Sequence, residues 1–395
     1  MTRERLRVGL AGAGFIAGTH VRSLRACVDP PAEVVAVAAR RLERAQEFAA
    51  RYHIPDAYDD VRRLIERPDI DVIDLCVPNN FHAPFAIAAA EAGKHVIVEK
   101  PLTGYFGGPG AAEPVGKTPK RVMFEEALRS ADAILAAAAR TGVQVCYAEN
   151  LVYAPAVQKA KRLIQEAGGA ILEIRCAECH SGSHAQYAKR WAEAGGGALL
   201  RLGSHPIGTA LHLKRFEGML RDGRPIEVAA VTAQTAALYQ TPAWQRDGAR
   251  YLVSDWEDVE NWSVTILTFT DGTRAVCLAS DVALGGVEDS LQLLLSTARI
   301  NINFTHSTML QVYAPSPDVF RGEPLQEKLH TNAGWSFPPI EEELVGGYRQ
   351  EMQDFLASIA AGRAPVSDGA LGRATVEAIY AAYVSAEEER TVRLR

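Results

Sequence analysis

The feature that most constrains this chain is a turn near its start. The apolar run Leu6 to Ala11 passes directly into Gly12-Ala13-Gly14-Phe15-Ile16-Ala17, after which Gly18 to Ala26 has helical spacing. Gly12 permits a tight reversal, Gly14 lets other atoms approach the backbone, and Ala17 is small enough for helix and strand to close together. The helix start then offers free N–H groups and a partial positive charge to an anion. Such a turn belongs to the first unit of a parallel sheet wound by crossover helices, and the alternation continues. Strands are expected over 33–38, 72–76 and 95–99 and near Val145, with helices over 42–52, 82–92 and 124–141.

Beyond a helix at 155–166 the pattern changes. Strands are expected over 171–180, 227–234, 262–270, 274–280, 290–295 and 300–304, with Asp271-Gly272 as a hairpin signal between two of them. Many strands and few helices imply a largely antiparallel sheet. From about Glu341 the helical pattern returns and is expected to pack back on the body. The expected fold is therefore an α/β Rossmann-type domain over 1–150, then an α+β domain over 151–395 with an open, largely antiparallel sheet. Gly104 to Lys120, rich in Gly and Pro and without period, reads as a surface loop or lid.

Composition narrows the classes. Formal charge is −6, and the basic residues are dispersed, so no nucleic-acid stripe is expected. No apolar run suits a membrane span, and the N-terminus carries no secretory pattern, so a cytoplasmic protein is expected. Six cysteines sit mostly in strand-like stretches and read as reduced core thiols. Cys176 and Cys179 form a C-x-x-C pair in an extended segment with no second pair, which argues against zinc.

A dinucleotide is the anion that suits the first turn, with contacts from Gly12, Gly14, Phe15 and Ile16. At the end of the second strand an acid would bind ribose hydroxyls. Ala39-Arg40-Arg41 stands there instead, which points to NADP with NAD left open; solvated helix-start arginines are the alternative.

Val77-Pro78-Asn79-Asn80-Phe81-His82, Glu99-Lys100-Pro101-Leu102, and Gly195-Gly196-Gly197 followed by Gly203-Ser204-His205 resemble, in order, the signatures of the glucose–fructose oxidoreductase / inositol dehydrogenase (Gfo/Idh/MocA) family. The resemblance runs along essentially the whole chain. It implies cofactor contacts from Pro78, Asn79, His82, Glu99 and Lys100. It further implies Lys100 beside nicotinamide and substrate, His205 as acid/base, a sugar-like small-molecule substrate, and a homo-oligomer built on the open sheet. Residue chemistry agrees. A lysine at the end of a buried strand can hold a substrate oxygen, and histidine is the usual group for moving a proton near neutrality. Tyr147, Glu149, Asn150 and Tyr153 are candidate substrate-pocket residues, with a polar linker as the alternative. His180 and His184 could join Glu149 and His205 around a metal, but no spacing demands it and no metal is expected. His20, His53, His212, His306 and His330 carry no argument for a role.

The family commonly has an Asp four residues before this His and another three after it; here those positions are Arg201 and Gly208. If 195–214 is a loop entering a helix, positions 201 and 205 share a face. Arg201 would then bind an anionic substrate group, anchor an internal acid such as Glu149, or serve packing alone. The expected activity is hydride transfer between nicotinamide and a hydroxyl or carbonyl carbon. A redox-neutral glycosidase or lyase with retained cofactor is the first rival, and a cofactor-sensing regulator the second.

Overall fold

The computed structural model describes residues 5–248, 251–305, 310–319, 331, 333–337 and 341–394. Residues 1–4, His306 and His330 lie outside them. The chain begins β1 (Leu6–Ala11), α1 (Phe15–Arg25), β2 (Ala32–Ala38), α2 (Leu42–Arg51), β3 (Asp56–Tyr58) and α3 (Arg62–Ile65). It continues β4 (Val72–Leu75), α4 (His82–Glu91), β5 (His95–Glu99), α5 (Lys120–Thr141) and β6 (Val145–Ala148). Next come α6 (Pro155–Ala167), β7 (Ile171–Cys179), α7 (Trp191–Ala194), α8 (Ala198–Arg201), α9 (Ser204–Asp222), β8 (Val228–Ala236) and α10 (Pro242–Asp247). Strands β9 (Trp262–Phe269), β10 (Arg274–Ser280), β11 (Glu288–Leu295) and β12 (Arg299–Asn303) follow. The last elements are β13 (Val312–Ala314), β14 (Gly334–Ser336), α11 (Glu342–Val345), α12 (Tyr348–Ala361), α13 (Gly369–Glu388) and β15 (Val392–Arg393).

The first sheet has the order β3-β2-β1-β4-β5-β6, with every pair parallel. Val8, Leu10 and Ala11 are fully buried on both faces of β1, as a strand covered by helices on both sides requires. Strand order reverses between β1 and β4, so the crevice beyond their carboxyl ends is the place where such sheets bind ligands. Register puts Ala11 opposite Leu75, Leu75 opposite Val98, and Glu99 opposite Ala148, which lines up the ends of β1, β4, β5 and β6.

The second sheet has the order β12-β11-β7-β10-β9-β8-β15 and is antiparallel throughout except for the parallel pair β7–β10. Buried and more open residues alternate along β9, the mark of a strand with one face on a core. Helix α9 packs on β7 and β10. Buried Lys214 fixes it there, donating to Glu217 Oε2 (2.5 Å), Asp271 Oδ2 (2.8 Å) and the Ile171 carbonyl (3.2 Å). The Asp271-Gly272 turn thus closes the β9–β10 hairpin and also holds the helix that begins at Ser204.

The chain divides into two compact units, but not at one cut near 150. The first holds residues up to Tyr105, Glu125–Ala154 and Gly346–Val376; the second holds Phe106–Phe124, Pro155–Val345 and the residues from Glu377. The two units interleave along the chain for two physical reasons. Helix α12 packs on α1 and on residues 150–153, where the Tyr153 hydroxyl donates to Asp354 Oδ2 (2.9 Å) and accepts from the Ser367 N–H (2.8 Å). The Gly/Pro-rich segment, in turn, is anchored to the second unit and is not a free lid. The Gly116 N–H donates to Asp258 Oδ2 (2.9 Å), Lys120 lies over the Trp191 ring, and Arg121 pairs with Glu388.

Glu351 of α12 is fully buried, and neither carboxyl oxygen has a hydrogen-bond partner. Burial, reinforced by Glu99, Glu149 and Asp74 against the opposing charge of His20, pushes its carboxyl well above the ordinary value of 4.5. The folded state therefore keeps a proton that the unfolded state releases, and stability falls as pH rises from about 4.5 toward the folded value. Glu351→Gln is expected to match the wild type near pH 4.5 and to exceed it increasingly toward pH 8, by up to about 1.4 kcal/mol per pH unit. Thermal melts of both proteins across that range are the check, and a constant gap would refute it.

Candidate functional site

The first unit gathers its expected residues along the carboxyl edge of the parallel sheet. Gly12 has φ +110°, and a Cβ there would overlap the Cys76 carbonyl oxygen, so no other residue fits the turn. Gly14 is the reverse case: a Cβ would meet nothing within 4 Å. Helix α1 begins at Phe15 with no side-chain cap, which leaves its first N–H groups to an external acceptor. An open cradle in front of an uncapped helix start fits the pyrophosphate of a dinucleotide. Phe15 is exposed, Ile16 half-buried and Ala17 fully buried. Ala39 donates its N–H to the Tyr58 carbonyl (3.1 Å), extending the β2–β3 pairing, and Arg40 and Arg41 are exposed just beyond.

At the end of β4, Pro78 precedes a 3-10 turn, Asn79–Phe81, with Asn79 buried. His82, read from sequence as a cofactor contact, is buried with Nδ1 2.8 Å from the Pro101 carbonyl and Nε2 2.9 Å from the Val77 carbonyl. Burial holds its pKa below the ordinary histidine value, against the opposing effect of the two carbonyl oxygens. Its role is that of a brace between the turns after β4 and β5. Glu99 is buried and accepts the Lys100 N–H at Oε2 (3.0 Å); Lys100 follows it, half-buried.

Three of the four residues expected after β6 make contacts within the first unit. Tyr147 is fully buried, with Gly372 packed so closely that a Cβ would lie 2.9 Å from its ring. Asn150 donates Nδ2–H to the Gly346 carbonyl (2.8 Å), and Tyr153 is bonded to Asp354 and Ser367. Glu149 is fully buried.

The second unit places Arg201 and His205 on different helices. Arg201 ends the one-turn helix α8, and α9 starts afresh at Ser204, so the shared helical face expected of positions 201 and 205 does not form. Arg201 is buried, ion-paired with Asp281, and lies over the Trp256 ring at 5.1 Å. The internal acid it anchors is Asp281, in place of Glu149. His205 is buried with Nε2 3.8 Å from Glu178 Oε2 on β7. His180 accepts the Gly182 N–H at Nδ1 (2.9 Å), 3.4 Å from Asp281 Oδ1, and His184 is exposed.

Sequence reasoning missed His20, Glu178 and Asp281. The available signals were a histidine on the inward face of α1, and acids within or directly after strands otherwise lined by apolar and small residues. Among the described residues, His20, Asp74 and Cys76 form the group of donors near enough to share an ion; here they hydrogen-bond one another. The six cysteines are free thiols, Cys176 Sγ lying 3.5 Å from Cys277 Sγ, and no described helix is long and apolar enough to cross a membrane.

The uncapped cradle on a 3-2-1-4-5-6 parallel sheet, joined to a second unit with a mostly antiparallel sheet, defines a dinucleotide-binding oxidoreductase scaffold. Residues 6–115 match the oxidoreductase family with an NAD-binding Rossmann fold, and residues 157–301 match the GFO/IDH/MocA C-terminal domain. The chain belongs to the Gfo/Idh/MocA oxidoreductase family. Levoglucosan dehydrogenase of Pseudarthrobacter phenanthrenivorans is 44% identical over 107 residues, 25% of this chain and 27% of that protein. Myo-inositol 2-dehydrogenase of Thermotoga maritima is 25% identical over 389 residues, 98% of each chain. The chain spans between 27% and 59% of the length of the first four curated relatives it matches. The crystal structure of GenD2 from gentamicin A biosynthesis, in complex with NAD, superposes with a TM-score of 0.79 at 25% identity over 100% of this chain and 98% of that one.

The two glycines of the turn are expected to fail differently. Gly12→Ala meets both the positive φ and the Cys76 carbonyl, and should cost about 2–5 kcal/mol of stability. Gly14→Ala should leave the melting temperature nearly unchanged but weaken dinucleotide binding about tenfold or more, since its methyl enters the cradle. Melting curves and cofactor titrations of the two variants separate the effects; equal stability loss in both would refute the assignment.

Proposed function

We propose that this protein is an NAD(P)-dependent oxidoreductase that moves a hydride between nicotinamide and a hydroxyl or carbonyl carbon of a sugar, polyol, inositol or sugar derivative. The observation that carries this is Lys100, held directly after Glu99 on the same sheet edge as the open Gly14 cradle. The names of the levoglucosan and myo-inositol dehydrogenases support the substrate class. When bound, the nicotinamide cofactor accepts or donates the hydride. The Lys100 ammonium hydrogen-bonds the substrate oxygen and orients it, and an imidazole nitrogen of His205 takes or returns the hydroxyl proton.

NADP is the proposed cofactor form. Support comes from exposed Arg40 and Arg41 and from the lack of an acid where β2 ends at Ala38. A homo-oligomer is supported by apolar side chains left open on the second sheet, Leu172 and Ile266 among them. Free thiols throughout support a reducing, cytoplasmic setting.

Replacing Arg40 and Arg41 with Ala is expected to weaken NADP about tenfold to a hundredfold while sparing NAD, as loss of charge-assisted phosphate contacts predicts. Titration of both cofactors decides it, and tighter wild-type binding of NAD would sink the NADP assignment. For the chemistry, levoglucosan, myo-inositol, D-glucose, D-xylose and D-gluconate are screened at the nicotinamide absorbance. Lys100→Ala and His205→Ala should each lower turnover of the active substrate by about 10²–10⁴ with cofactor affinity nearly preserved. Near-normal turnover in either variant removes that residue from the reaction.

A further inference from the structure

We propose that His20 is a positioning residue for Lys100, acting through Glu99. The proposal deepens the reading of Lys100 as the residue that holds the substrate oxygen, and rests on it. His20 lies on the inward face of α1 with Ala17, Val21 and Leu24, and is completely buried. Its Nδ1 is 3.0 Å from both oxygens of Asp74, and its Nε2 is 3.0 Å from Glu99 Oε1. Carboxylates only accept hydrogen bonds, so each ring nitrogen donates and the imidazole carries a positive charge. Burial opposes that charge and is the largest single influence, but Asp74 and Cys76 together outweigh it and raise the pKa well above the ordinary value. The groups facing His20 are Asp74 on β4, Cys76 just after it, Glu99 on β5 and Glu351 on α12.

The consequence lies one residue further along. Glu99 is held at both oxygens: Oε1 by His20 and Oε2 by the Lys100 N–H. On the other side of Lys100, the Pro101 carbonyl faces His82. The backbone at Lys100 is thus clamped before and after, and the clamp before it is anchored in α1, the helix whose start forms the anion cradle. His20 sits six positions beyond Gly14, so cradle and lysine are registered against one another by a hydrogen-bonded chain running Asp74, His20, Glu99, Lys100. A histidine there for packing alone would need neither carboxylate. Here each nitrogen has a separate task, with Nδ1 securing the ring to Asp74 and Nε2 fixing Glu99.

That division of labour gives the test. Glutamine can place its amide N–H near the Nε2 position and keep the bond to Glu99, whereas asparagine can reach only the Nδ1 side. His20→Gln and His20→Asn are compared in the full-length protein by trace acetylation of Lys100 with acetic anhydride, read by mass spectrometry. Exposed Lys159 serves as the internal reference, and melting temperatures are recorded in parallel. Lys100 labelling in His20→Gln should stay within about twofold of wild type. In His20→Asn it should change by about fivefold or more, corresponding to about 1 kcal/mol. A larger loss of kcat than of cofactor affinity should accompany it.

Wild-type labelling in both variants overturns the proposal, as do changes that merely track the melting temperatures. If neither variant folds, Glu99→Gln replaces them, since it keeps the volume of Glu99 while altering its bond to His20; unchanged Lys100 labelling there overturns the proposal as well. The labelling needs no substrate. A failure of Lys100 as a catalytic residue would show instead as undiminished turnover in Lys100→Ala.

Discussion

Three charged groups are buried beneath the carboxyl edge of the parallel sheet: Asp74, His20 and Glu99, bonded in that order at 3.0 Å. Each ion taken from water alone costs several kcal/mol, so such a row persists only when every member is paired. The pairing ties helix α1 to the two neighbouring strands β4 and β5. Those elements also carry the anion-binding turn, the Val77–His82 turn and Lys100. The arrangement of the first unit's functional edge therefore depends on this row more than on the surrounding apolar contacts, which are less directional. Glu351 marks the limit of what the row can tolerate. A further carboxylate beside it would be uncompensated, and burial pushes that carboxyl well above its ordinary value.

The second unit manages buried charge by the same rule. Lys214 is enclosed, yet its ammonium reaches Glu217, Asp271 and a strand carbonyl, so helix α9 is pinned to the sheet at a point two turns beyond His205. Packing alone would permit the helix to slide or rotate along the sheet at modest cost; three charge-assisted bonds of fixed geometry would not. The helix that carries His205 is thus fixed to the sheet by a salt-bridge cluster.

Periodicity made the frame legible. Strands buried on both faces read as short apolar runs, and the two glycines before α1 announced the turn. Strand β3 escaped because three half-buried residues carry no period. Helix α1 begins at Phe15, earlier than its spacing suggested, because Phe15 to Ala17 serve both the turn and the helix. Candidate site residues could be named only where a motif carries them, as at Gly12, Gly14, Lys100 and His205. His20 and Glu99 lie 79 residues apart, and Arg201 and Asp281 lie 80 apart; such pairings follow from strand order and leave no trace in local spacing. The partners of Tyr147 and Tyr153 were hidden for the same reason. Polar residues after a Rossmann strand resemble pocket lining, but the segment that encloses them arrives some two hundred residues later in the chain.

Arg201 shows how one departure from a family pattern demands others. A buried guanidinium needs a counter-charge, and a buried imidazole is favoured in its protonated form by a nearby carboxylate. The structure answers with two acids. Asp281, fully buried at the end of β10, pairs with Arg201 and cancels its charge locally. Glu178 on β7 approaches His205 Nε2 to 3.8 Å and places a carboxylate beside the imidazole. The two acids reach the site from parallel neighbours: Glu178 pairs in register with Ala279, two residues before Asp281. The β7–β10 pair, the one parallel contact in an otherwise antiparallel sheet, carries both strands' carboxyl ends to the same edge. Carboxylates from the sheet therefore stand beside both the buried arginine and the buried histidine of the second unit.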